Sequence, residues 1–170
     1  MINSTSRAKM SVVVDPRSQS THDPVAIGVS CCRKLGMNYT EAFRNLGYTL
    51  VAPRTDWSAE NEKGVCISIW AAEIKFKEGR PWLDTKVHCG PHEIWKDLPG
   101  NKKRVAHLTR AVDELSGIID VVIVQGTPGL GAKDADPWIP TSRKGMHWRV
   151  TSFDPSTGHF SAFVEKAPPV

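Results

Sequence analysis

The chain of 170 residues has no long apolar run, only two tyrosines and no set of cysteines spaced for pairing. No stretch approaches the roughly 18 apolar residues that cross a bilayer, so no membrane partner is expected. The first 24 residues hold no secretory apolar segment of usable length, and the expected compartment is the cytoplasm. The four cysteines are Cys31, Cys32, Cys66 and Cys89. The adjacent Cys31 and Cys32 are badly placed to bridge each other, which excludes a secreted disulfide framework. Cys89 lies in HCGPHEIW with His88 and His92. A structural zinc site draws on two spaced ligand pairs, and Cys31 with Cys32 has the wrong spacing for the second, so no metal is expected. No Gly-x-Ser-x-Gly turn offers a serine nucleophile. The glycine-rich GTPGLGAKD lacks the Gly-Lys-Ser/Thr ending that cradles phosphate.

The remaining composition is that of a globular chain, 40% hydrophobic and 24% charged. Residues 1–24 are rich in Ser, Thr, Arg and Pro and read as a flexible arm. Residues 25–170 read as a single globular domain. The net charge of +4 permits an acidic partner without requiring one, so clustering matters more. Lys102, Lys103, Arg104 and Arg110 form one cluster, and Arg143, Lys144 and Arg149 another. Six tryptophans supply flat faces that serve a core or a stacking site.

The pattern predicts a helix in NYTEAFRNLGY, capped by Asn38 with Glu41 three residues on. YTLVAP reads as a strand ended by Pro53. GVCISIW reads as a strand with Val65, Ile67 and Ile69 on one side and Cys66, Ser68 and Trp70 on the other. KFKEGRPW reads as its continuation, a turn at Glu78-Gly79 and a return. No helix is expected between Lys75 and residue 101. GNKKRVAHLTRAVDELSG reads as the strongest helix, with Val105, Leu108, Ala111, Val112 and Leu115 facing inward and Lys103, His107 and Arg110 outward. IIDVVIVQG reads as a buried strand, TPGLGAKDADPWIPTSRKG as a long loop, and MHWRVTSF with HFSAFVE as a closing hairpin. The expected class is α+β, a curved, mostly antiparallel, barrel-like sheet with two flanking helices.

Several chemistries draw on these residues. Asp56, Glu73 and Lys75 supply the types that a magnesium-dependent nuclease uses, two carboxylates for the cation and a lysine for the water. No helix of the expected kind follows them. His107-Leu-Thr is a single copy of a His-x-Thr motif that needs two. Cys89 with His88 or His92 could form a thiol nucleophile, but sequence neighbours seldom aim at each other. Binding remains: Lys102, Lys103, Arg104, His107 and Arg110 on one helix, with Arg143 and Lys144 in the loop, would contact phosphates while tryptophans stack on bases. The plain alternative is a solvated basic helix and tryptophans in the core.

EAFRNLGYTLVAPRTDWSAENEKGVCISIWAAE carries a helix ending in Leu-Gly, an Arg-x-x-Trp-Ser-Ala segment and a strand ending in Trp-x-x-Glu. GNKKRVAHL, DVVIVQG and a Met-x-x-Arg-Val-Thr strand extend the pattern to about residue 165. This resembles bacterial domains, some fused to His-Asn-His restriction nucleases, that use PUA-like modules of the EVE and SRA groups to recognise modified bases. The resemblance implies a flipped base held by Trp57, Ser58, Trp70 and Glu73, with Glu73 accepting from an exocyclic amine, and Arg104 and His107 toward the phosphates. It also implies a nuclease as partner protein. The chain has no His-Asn-His motif of its own, which leaves recognition as the expected role. The expectation is a nucleic-acid-binding module without cofactor, with the Asp56–Glu73–Lys75 magnesium nuclease and a protein-interaction domain as alternatives.

Overall fold

The computed structural model describes residues 36–128 and 131–166. The expected arm and Cys31 and Cys32 lie outside these residues. The chain order is α1 (Tyr39–Asn45), β1 (Ser58–Asn61), β2 (Gly64–Trp70), β3 (Lys75–Lys77), β4 (Arg80–Asp84), α2 (Thr85–His88), α3 (His92–Trp95), α4 (Pro99–Glu114), β5 (Ile118–Thr127), β6 (Gly131–Pro137), β7 (Met146–Asp154) and β8 (His159–Lys166). The eight strands form one sheet, ordered β1-β2-β5-β7-β8-β4-β3, with β6 also paired to β5. It is an α+β fold with a curved, mostly antiparallel sheet that does not close into a barrel. Among the described residues only β2 and β5 pair in parallel, Cys66 opposite Asp120 through Trp70 opposite Val124. No helix of the described residues is long and apolar enough to cross a membrane.

Helix α1 forms as its sequence predicts. The Asn38 side chain accepts the Glu41 N–H at 2.9 Å, and the Glu41 carboxylate accepts the Asn38 N–H at 3.1 Å. The helix buries Ala42 and Phe43 and stops at Gly47, whose φ of +86° suits glycine. Strand β2 alternates as expected. Val65, Ile67 and Ile69 join a core with Leu108, Ala111, Trp148 and Val164. Cys66 faces a second core with Phe43, Tyr48 and Val124, and Trp70 packs against it.

Four expectations differ from the fold. YTLVAP is not a strand, because Asp56 pulls the chain into a turn: its carboxylate accepts the Ala52 N–H at 2.8 Å. After Trp70 the chain makes a 3-10 turn over Ala71–Glu73, so β3 does not continue β2, and Glu73 lies on no strand. Two one-turn helices, α2 and α3, precede α4 where none was expected, α2 started by the Asp84 side chain accepting the Lys86 N–H. The glycine-rich loop contains β6, which lies along β5 although only Ala135 and Pro137 of its residues are buried. Its polar composition hides it from periodicity.

Helix α4 also faces differently from its apolar stripe. Its buried residues are Gly100, Asn101, Arg104, His107, Leu108 and Ala111, while Val112 is 41% exposed. The polar members turn inward because each finds a partner there. Gly100 permits the approach: a Cβ at that position would lie 2.4 Å from the Thr55 carbonyl oxygen and 2.6 Å from Trp57 Nε1.

Candidate nucleic-acid interface

The expected base-pocket residues divide: Trp57 and Glu73 lie toward Arg104, Trp70 packs against the second core, and Ser58 is buried. Ser58 has no exposed surface, and its Oγ lies 2.8 Å from His107 Nδ1. Glu60 Oε1 stands 3.7 Å from His107 Nε2, and Arg110 binds the other Glu60 oxygen at 3.0 Å, Glu114 at 3.1 Å and the Asn61 carbonyl. The order Ser–His–carboxylate matches a catalytic triad, but a fully buried serine meets no substrate. Burial lowers the His107 pKa and favours the neutral ring. The array works as a hydrogen-bonded tie between β1 and α4.

Trp57 points to α4, where the Arg104 guanidinium lies 5.2 Å from its ring centroid. Arg104 also lies 5.3 Å from Trp95 and 5.4 Å from Phe160. An aromatic cage therefore exists, and the protein's own arginine fills it. Arg104 Nη2 donates to Asn101 Oδ1 at 2.8 Å, and its Nε has no partner among the described residues. Glu73 joins this side together with Cys89, and burial raises the pKa of both, the thiol to about 12. Trp70 belongs to the other side of β2, against the second core.

Of the three nuclease candidates, Asp56 and Lys75 are each engaged by other partners. Asp56 binds Lys103 at 2.8 Å and the Ala52 N–H. Burial opposes its charge, but these hydrogen bonds hold its carboxyl below the ordinary range. Lys75 Nζ donates to the Ala72 carbonyl at 2.9 Å. Among the described residues no three His, Cys, Asp or Glu side chains could hold a metal ion together.

Of the expected phosphate contacts, Lys102 and Lys144 are exposed. Lys103 is committed to Asp56, Arg104 and His107 are buried, and Arg110 is committed to Glu60 and Glu114. Arg143 pairs with Asp136 at 3.0 Å and lies 4.5 Å from the Trp138 centroid. The basic residues of α4 thus serve mainly to fix the helix.

A different surface combines exposed cations with aromatic rings. Lys75 and Lys77 pair with Trp82 and Arg80 across β3–β4, Trp82 pairs with Phe163 across β4–β8, and Phe163 pairs with Arg149 across β8–β7. Paired residues share a face, so all six lie on the side of the sheet away from α4. The intervening Leu83, Ala162, Val164 and Trp148 fill the core on the other side. Trp82 and Phe163 stack with centroids 5.9 Å apart and planes 23° apart, both partly exposed. Lys77 Nζ lies 5.1 Å from the Trp82 centroid and 5.9 Å from Phe163, and Arg80 lies 5.3 Å from Phe163. Arg149 is bonded to Glu165 on the same face.

Sequence reasoning missed this face, though the signal was present. In HFSAFVE, Phe160, Ala162 and Val164 alternate inward, so Phe163 stands on the polar side between Ser161 and Glu165. Trp82 stands likewise between Arg80 and Asp84. An aromatic on the solvent side of each of two strands invites a binding question. No protein-family model matches the chain, and no curated protein or solved structure matches it.

Proposed function

We propose that this domain is a cytoplasmic nucleic-acid-binding module whose interface is the outer face of β3, β4, β8 and β7. The observation that carries the reading is the Trp82–Phe163 pair with Lys77 and Arg80 over its rings. Nucleic acids offer phosphates to cations and bases to aromatic faces, and this surface presents both within one cross-strand row. Four cations, Lys75, Lys77, Arg80 and Arg149, share the face with the carboxylates Glu78, Asp84, Asp154 and Glu165, of which Glu78 pairs with Arg80 and Glu165 with Arg149. Lys75 and Lys77 are exposed and pair with no carboxylate among the described residues, so they remain available to a polyanion.

The test is a fluorescence-anisotropy titration of a labelled oligonucleotide at several salt concentrations. The double variant Lys77→Ala, Arg80→Ala should weaken binding and reduce the slope of log K against log salt by about 1–2, as expected for one or two lost phosphate contacts. An unchanged slope with unchanged affinity rejects this face as the interface.

A further inference from the structure

We infer that this face takes single-stranded nucleic acid in preference to duplex, one base stacking on the Trp82–Phe163 pair while Lys77 and Arg80 transfer from the rings to phosphates. The inference rests on the nucleic-acid reading above and specifies its substrate class. Both cations sit over partly exposed rings, on flexible side chains, and among the described residues Arg80 is further engaged only by the exposed Glu78 at 3.2 Å. A cation–π contact at such a site is weaker than a base–aromatic stack. A base can therefore displace the cations, and each displaced cation then finds a phosphate beside that base. The exchange takes Arg80 from Glu78, whose exposed carboxylate returns to water.

Duplex fits the same surface poorly. Its bases are stacked on one another, so their faces are closed to Trp82 and Phe163, which sit on the flat of the sheet. The element that could enter a groove is the β3–β4 hairpin, since a two-stranded ribbon matches the major groove. Its tip is Glu78-Gly79, and the Glu78 side chain is 69% exposed. Insertion would carry that carboxylate in first, between the two phosphate backbones. A single strand laid across the sheet avoids it.

The experiment compares short mixed-sequence single-stranded DNA, single-stranded RNA and the matching DNA duplex by anisotropy, with tryptophan fluorescence read in parallel. The expected result is at least about tenfold tighter binding of a single strand than of duplex, given the worth of one stacked base. Trp82→Leu should lose that preference, and Trp82→Phe, which keeps an aromatic face, should retain most of it while showing less fluorescence quenching. Melting curves verify that both variants are folded. Equal or tighter duplex binding overturns the single-strand inference and leaves the nucleic-acid reading standing. Single-strand binding unaffected by Trp82→Leu overturns the stacking role. Failure to bind any of the three overturns the nucleic-acid reading itself.

Discussion

Ser58 Oγ and His107 Nδ1 lie 2.8 Å apart, the serine wholly buried and the histidine 6% exposed. The contact joins β1 to α4 and closes the core over Val65, Ile67 and Leu108.

His107 makes stability depend on pH in a stated direction. Burial depresses its folded pKa below the ordinary value near 6.5, so the unfolded chain takes up the proton first. Its contribution is complete above about pH 6.5 and is lost as pH falls toward the depressed folded value. Thermal melting at pH 7 and pH 5 should show a smaller drop for His107→Gln than for the wild type. An equal drop in both assigns the acid sensitivity to other groups, of which His159 is the next, its pKa also lowered by burial and by the neighbouring His92.

Gly100 should resist enlargement. Alanine is ordinarily the better helix residue by about 1 kcal/mol. Here its Cβ would meet the Thr55 carbonyl oxygen at 2.4 Å, which is backbone and cannot step aside cheaply. Gly100→Ala is expected to destabilise the fold by about 1–3 kcal/mol in chemical denaturation. A gain in stability would mean that α4 does not pack against Trp57 as described.

Arg104 separates a structural role from a phosphate contact. It fills the cage of Trp57, Trp95 and Phe160, with one unpartnered N–H and burial working against its charge. Replacing a buried charge by an apolar side chain of similar length often costs little. Arg104→Met should therefore keep stability within about 1.5 kcal/mol, whereas Arg104→Ala, which empties the cage, should lose about 2–5 kcal/mol. Neither should alter the salt slope of nucleic-acid binding. A reduced slope in the folded Arg104→Met variant would return α4 to the interface.

Much of the architecture was legible where one force dominates. The Asn38–Glu41 cap, the two-sided β2, the buried β5, the Glu78-Gly79 turn and the closing hairpin follow from capping, alternation and glycine placement. The parallel pairing of β2 with β5 was not legible, since both strands are buried on both sides and carry no directional mark. The face of α4 was misjudged because its polar residues are satisfied by partners more than forty positions away, Asp56 for Lys103 and Ser58 for His107. The same long-range pairing buries Ser58, one of the four residues expected at a base pocket. The aromatic pair on the outer sheet face required knowing that β4 and β8 are neighbours, which no local pattern states.

The central claim is tested most directly by following backbone amide resonances while a single-stranded oligonucleotide is added. The account predicts shifts concentrated along Lys75–Lys77, Arg80–Asp84 and the facing parts of β7 and β8 around Arg149 and Phe163, with α1 and β1 unmoved. Shifts confined to α4 and Lys144, or none at saturating oligonucleotide, would contradict it.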